Sequence, residues 1–132
     1  MCFFLCFKKR GENMKRDEKN NITHTRGDKG SIKLVNKKGM FKIGDTFKFS
    51  IVKKGNYDDV VFRKEFEVTE ECQEFFLTFT NDEMRFCEPI NKEKEFYYEI
   101  DMNDDTTLIG YDENKDKKFI LYPESVKKEG DA

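Results

Sequence analysis

Between clusters of turn-forming residues, this chain places a large aromatic or aliphatic side chain at every second position. Phe47, Phe49 and Ile51 alternate with Lys48, Ser50 and Val52; Phe75, Leu77 and Phe79 repeat the pattern, as do Phe96, Tyr98 and Ile100. A period of two suits an extended strand with one buried face, because successive side chains of a strand point to opposite sides. No segment carries the 3.6-residue pattern of a full helix. The 14 Phe and 5 Tyr among 132 residues, with no Trp, imply a core built from a few large rings. Each ring, if fully buried, supplies about 1.5–3 kcal/mol.

The punctuation agrees. Gly, Asn and Asp cluster at 27–30, 36–39, 44–45, 55–59, 103–105 and 112–116. Ile22 to Arg26 and Ser31 to Val35 read as a first strand pair, with Ile32 and Leu34 on one face. Val60 to Val68 offers Val60, Phe62, Phe66 and Val68 inward and Val61, Arg63, Glu65 and Glu67 outward. Leu108 or Ile109, then Phe119 and Leu121, close the series. The expectation is all-β: an antiparallel two-sheet β-sandwich of Ig-like or Greek-key type, with roughly seven or eight strands. Thr80 and Glu83 have the spacing of a capping box, which predicts one helical turn over Thr80 to Met84.

The segment MCFFLCF followed by KKRGEN reverses the order of a secretory signal, whose charges precede its apolar stretch. Lys8 to Asn13 back-translates into a purine run like a ribosome-binding site. Met14 is therefore the expected start, with 1–13 a non-native or disordered leader; upstream DNA lacking a GGAG-like sequence refutes this. A membrane-inserting patch is the rival. Residues 14–21 are expected to be flexible, 22–124 to form the domain, and 125–132 to be a disordered charged tail. No apolar run approaches the roughly 20 residues of a membrane span.

Chemistry-bearing motifs are sparse. Asp101, Asn103 and Asp105, and again Asp112, Asn114 and Asp116, give the D-x-N-x-D opening of a calcium loop. The first loop has Thr106 where glycine is needed and Asp112 where a bidentate Glu is needed, so hairpin turns explain both. His24, the only histidine, sits in an expected edge strand and reads as solvent-facing. Arg26-Gly27-Asp28 reads as a turn. Cys72 and Cys87 have no zinc-site spacing and read as free thiols. No enzyme signature and no cofactor site emerge. Residues 14–56 carry 12 Lys or Arg against 4 acids, a balance of +8, and 57–132 carry 10 against 22, a balance of −12. Two readings stay open: cross-strand pairing, or a dipolar surface that steers docking. The acidic net charge disfavours nucleic acid. Val61, Phe76, Tyr97 and Tyr111 fall opposite the core set and are the expected interface residues.

The pieces T-R-G-D-K-G at 25–30, F-K-I-G-D at 41–45, V-F-R-K-E at 61–65, E-P-I-N-K at 88–92, T-L-I-G-Y-D-E at 107–113 and L-Y-P-E at 121–124 add a resemblance. In this order they resemble small β-sandwich proteins of Gram-positive phages and prophages, similar to the N-terminal domain of the phage baseplate upper protein. The resemblance spans roughly Ile22 to Glu124. It implies a virion component, assembled in the bacterial host cytoplasm. The implied role is docking onto other tail or baseplate proteins or its own copies, with no nucleic acid, membrane or cofactor involved. The longer family members continue into a stalk, which this sequence does not contain. A stand-alone carbohydrate- or peptide-binding module is the alternative.

Overall fold

A computed structural model of the chain describes residues 3–6, 14–109 and 117–124, with residues 3–6 and 109 described as backbone only. Ten strands and one 3₁₀ turn occur among them. In order they are β1 (Phe3–Cys6), β2 (Lys15–Arg16), β3 (Ile22–Thr25), β4 (Gly30–Asn36), β5 (Thr46–Lys53), β6 (Asn56–Glu67) and β7 (Glu74–Phe79). The turn Glu83–Arg85 follows, then β8 (Lys94–Met102), β9 (Thr106–Ile109) and β10 (Lys118–Tyr122). The protein is all-β, with two sheets. One is ordered β1-β4-β7; the other is ordered β2-β3-β10-β8-β5-β6, with β9 beside β8.

The alternation in the sequence becomes the core. Along β8 the burial alternates strictly, with Phe96, Tyr98, Ile100 and Met102 buried and the residues between them half-buried. Phe47, Phe49 and Ile51 of β5, Ile32 and Leu34 of β4, Leu77 and Phe79 of β7 and Phe119 and Leu121 of β10 join the same cluster. Rings from the two sheets touch directly: Phe49 on Phe79 at 4.9 Å, Phe47 on Phe75 at 5.3 Å and Phe66 on Phe79 at 5.8 Å between centroids. Such tilted, stacked and edge-on pairs add about 0.5–1.5 kcal/mol each beyond area burial.

Several expectations are corrected. β3 and β4 do not pair. After β3 the chain turns at Gly27 (φ 85°) and crosses to the other sheet, where β4 lies between β1 and β7. Nor is the pairing antiparallel throughout, because β3 runs parallel to β10, Ile22 opposite Phe119 and Thr25 opposite Tyr122. No hairpin joins these two strands, so nothing local fixes their relative direction. Residues 14–21 hold the short strand β2. Met14 is 2% exposed and β2 pairs with β3, because an apolar side chain at 14 can fill the gap over Gly30. Phe3–Cys6, expected to stand outside the fold, pairs antiparallel with β4.

Val60 and Val61 exchange roles. Ile51 faces Phe62, but Val52 faces Val60, so Val61 is an extra residue in β6. This bulge shifts the alternation. Val60 is left 37% exposed, and Val61 packs on the core cluster.

The capping box forms as the spacing predicts. The Thr80 N–H donates to Glu83 Oε1 at 2.8 Å and the Glu83 N–H donates to Thr80 Oγ1 at 3.1 Å. It starts a single 3₁₀ turn that buries Met84. Lys64 reaches from β6 to the same turn, donating to Glu83 and to the Thr78 carbonyl of β7. The two β7-side edges are thus bridged by a side chain rather than by a ladder.

Tyr98 supplies one polar tie inside the core. Burial pushes its hydroxyl pKa far above the ordinary value, and the hydroxyl donates to the carbonyl of Asn20. Asn20 itself holds a positive φ of 67°. Replacing Tyr98 by Phe keeps the ring but strands that carbonyl. The expected loss is about 1–2 kcal/mol, read as a lower midpoint in urea with an unchanged slope.

Candidate docking site

Strand β3 aims Ile22 and His24 at one side, and Arg26, just past its end, continues the pattern and places a guanidinium between the 86–94 loop and Glu124. Arg26 is 9% exposed. Its Nε and one terminal nitrogen both donate to the Cys87 carbonyl, at 3.1 and 2.8 Å, and the other terminal nitrogen donates to Glu124 Oε1 at 2.8 Å. Arg85 grips the second oxygen of the same carboxylate at 2.9 Å. Hydrogen bonds from Arg85 hold the Glu124 carboxyl below its usual range; partial burial opposes them and the charges of Arg85 and Arg26 reinforce them. Gly27 closes the arrangement. Its N–H donates to the Met84 carbonyl, its own carbonyl accepts from the Asn81 side chain, and a Cβ there meets the Glu124 carboxylate at 2.8 Å. Charge-assisted bonds of this kind are the strong ones.

The clamp fixes the start of the 86–94 loop, and that loop walls a groove. A surface groove of about 610 Å³ runs between the β5–β6 hairpin and the loop, with Val61, Phe86, Ile90 and Phe96 as apolar lining and Lys53, Lys54, Glu88 and Glu95 among its polar residues. A second, of about 550 Å³, continues along Pro89 to Lys94. Phe86 is anchored from below by Phe62 and Phe96, with centroids 5.7 and 5.4 Å away. The loop is therefore held at its base by Arg26 and by ring packing. Sequence reasoning missed it; the available signal was Arg26, two and four positions from His24 and Ile22 on the inward side of β3.

The interface residues expected from alternation fall as follows. Val61 packs toward the core, Phe76 is half-buried on β7, and Tyr97 stacks on Tyr57 at 5.6 Å. Tyr111 lies outside the described residues. The exposed large apolar side chains among the described residues are Met40, Ile43, Val60 and Tyr122. Met40 and Ile43 flank Phe41, which turns inward and bridges to Cys72.

His24 is not solvent-facing. It is 1% exposed because β3 lies between β2 and β10, with Nε2 2.8 Å from the Asp28 carbonyl and the ring edge-on to Phe119. Arg26-Gly27-Asp28 is a turn, its arginine committed to the clamp. Of the calcium candidates, Asn103 accepts from the Thr46 N–H at 2.8 Å and Asp105 accepts from Thr106, which is turn chemistry. Asp101 belongs to β8. Asp112, Asn114 and Asp116 lie outside the described residues. Among the described residues no three or more His, Cys, Asp or Glu side chains gather as a metal site, and no helix is long and apolar enough to cross a membrane. Cys72 and Cys87 are free thiols; burial, then the charge of Glu70, pushes Cys72 up.

The charge asymmetry of the sequence is folded into pairs. Arg26–Glu124, Lys33–Glu74, Lys48–Asp104 and Lys54–Glu95 each join a cation of the first part to an acid of the second. Part of the asymmetry is thus taken up in ion pairs between neighbouring segments.

On the outer face of the larger sheet, Glu99 is the titratable group to watch. Partial burial raises its pKa, with the charge and hydrogen bond of Asp101 adding to the rise and Thr107 and Arg63 opposing it. A carboxyl raised on folding binds more protons in the native state, so stability falls as pH rises from the unfolded toward the folded pKa. Glu99→Gln is expected to flatten that slope, and chemical denaturation across mildly acidic pH reads it. An unchanged slope contradicts the assignment.

No family model, curated protein or solved structure matches this chain.

Proposed function

We propose that the protein is a non-enzymatic structural component of a phage or prophage particle, in a tail or baseplate appendage, working by protein–protein docking. In this reading the two sheets form a β-sandwich of Ig-like or Greek-key type. Its partners are other tail proteins or further copies of itself, and it resides in the virion. What supports the reading is the placement of the sequence pieces that carried the resemblance. Four of the six contribute to the clamp and the groove: 25–30 gives Arg26 and Gly27, 61–65 gives Val61 in the lining and Phe62 beneath Phe86, 88–92 gives the groove wall, and 121–124 gives Glu124. A binding surface needs a rigid frame so that little ordering entropy is lost on docking. The clamp and the packed loop base provide such a frame.

The test is induction of the lysogen followed by gradient purification of particles and mass spectrometry. The chain is expected in the particle fraction, in a fixed ratio to tail proteins. A chain abundant in the lysate but missing from particles contradicts the reading, as does a gene neighbourhood of metabolic enzymes.

The second reading is a carbohydrate-binding module, favoured by the stacked Tyr57 and Tyr97 rings beside the Glu99–Asp101 pair. Binding of the isolated monomer to cell-wall glycans on an array favours this reading, and silence favours docking.

A further inference from the structure

We infer that residues 88–93 form a flap over the groove, held shut by the clamp at Cys87, and that the flap swings outward as a unit to uncover the apolar surface beneath it. The segment is built differently from its surroundings. It holds no helix or strand, and Glu88, Pro89, Asn91, Lys92 and Glu93 are exposed. Among the described residues, none makes a hydrogen bond or ion pair with 88–93. Within the segment, Ile90 alone packs against the core cluster. Its two ends are fixed. At one, Arg26 donates twice to the Cys87 carbonyl, at 3.1 and 2.8 Å. At the other, Lys94 begins β8 and stands opposite Leu121 of β10. A solvent-facing backbone that rests on one aliphatic side chain between two pinned ends belongs to the least stable part of a fold, where local opening precedes global unfolding.

The surface under the flap belongs to the rigid body. Val61 and Phe96 line the groove from the larger sheet, and Phe86 packs on Phe62, Phe96 and Phe119. When Ile90 lifts away these side chains stay, so the open form is a wider and more apolar cleft. The latch is set from a distant part of the chain. Glu124, just past β10, accepts from Arg26 at 2.8 Å and from Arg85 at 2.9 Å. A guanidinium only 9% exposed needs that counter-charge to stay where it is. Glu124 therefore decides how firmly Arg26 holds Cys87, and through it how often the flap opens. This inference concerns motion and stands apart from the particle reading: the particle experiment reads location, the following one reads opening.

Relaxation dispersion on the full chain reads the motion. One exchange rate shared by the backbone amides of 88–93 and the Ile90 methyl groups is expected, with flat profiles along β5 and β8. Flat profiles along 88–93, or a different rate at each residue, overturn the proposal. Thiol labelling, with each modified cysteine identified by peptide mass, gives a second measure. Cys87 is half-buried at the latch; Cys72, half-buried beside Phe41 and outside the groove, is the internal reference. In Glu124→Ala the labelling of Cys87 is expected to speed up roughly tenfold or more, because a charge-assisted hold is lost, while Cys72 keeps its rate. An unchanged Cys87 rate overturns the proposal. Equal acceleration of both thiols overturns it too, since that reports global unfolding instead of a flap.

Discussion

Replacing Phe49 by alanine is expected to cost about 3–5 kcal/mol, the range for deleting a fully buried phenyl ring. Phe49 is the ring that ties most of the core together. Its centroid lies 4.9 Å from Phe79 in the smaller sheet, 5.8 Å from Tyr98, 6.3 Å from Phe119 and 6.4 Å from Phe62. Removing it opens a cavity facing both sheets, which the strands cannot close without breaking their ladders. Against a total stability of about 5–15 kcal/mol for a domain of this size, that loss leaves a chain close to unfolding at physiological temperature. Phe76→Ala is the matched control. Phe76 lies on the opposite face of β7 and is half-buried, so its loss is expected to cost well under half as much. Urea denaturation of the two variants measures both, and equal effects contradict the inward and outward assignment.

The second large effect is expected at Arg26. Arg26→Ala removes two hydrogen bonds to the Cys87 carbonyl and one to Glu124, and leaves a half-buried carboxylate held only by Arg85. Hydrogen bonds involving a charged partner contribute about 1.5–3 kcal/mol, so a loss of about 2–3 kcal/mol is expected, seen as a melting temperature lower by about 10 °C. The effect has a pH signature. The Glu124 carboxyl is held below its usual range in the folded chain. Its contribution is present above the unfolded pKa and disappears as pH falls through the folded one. The wild type is expected to lose stability over that acidic window faster than Glu124→Gln does. Gly27→Ala is expected to act on the same clamp by another route. The residue holds φ at 85°, and the added Cβ pushes on the Glu124 carboxylate.

What was legible in the sequence was whatever depends on period alone. β4, β7, β8 and β10 alternate because one face of each is packed, and the residues pointing inward could be named without knowing any strand's partner; in β5 the core residues could be named too, but Ser50 and Val52 on the other face are also buried. The capping box was legible for a similar reason: Thr80 and Glu83 satisfy each other locally. Partners and direction were not legible. Nothing between Ile22 and Val35 states that the turn at Gly27 crosses to another sheet, or that Phe119 will lie parallel to Ile22. The bulge at Val61 was hidden too, because one extra residue in β6 is visible only against Ile51 and Val52. The site was the least readable part. Arg26, the Arg85–Cys87 segment and Glu124 are far apart in sequence, and each reads alone as an ordinary turn or loop residue. Only the fold supplies their common position.

Everything above rests on rings from both sheets meeting in one sealed interior, and nuclear Overhauser spectroscopy on selectively labelled phenylalanines tests it most directly. Strong cross-peaks are predicted between the ring protons of Phe49 and Phe79, across the 4.9 Å that separates their centroids. Rings that show no contact with each other, and exchange with solvent probes instead, contradict the account.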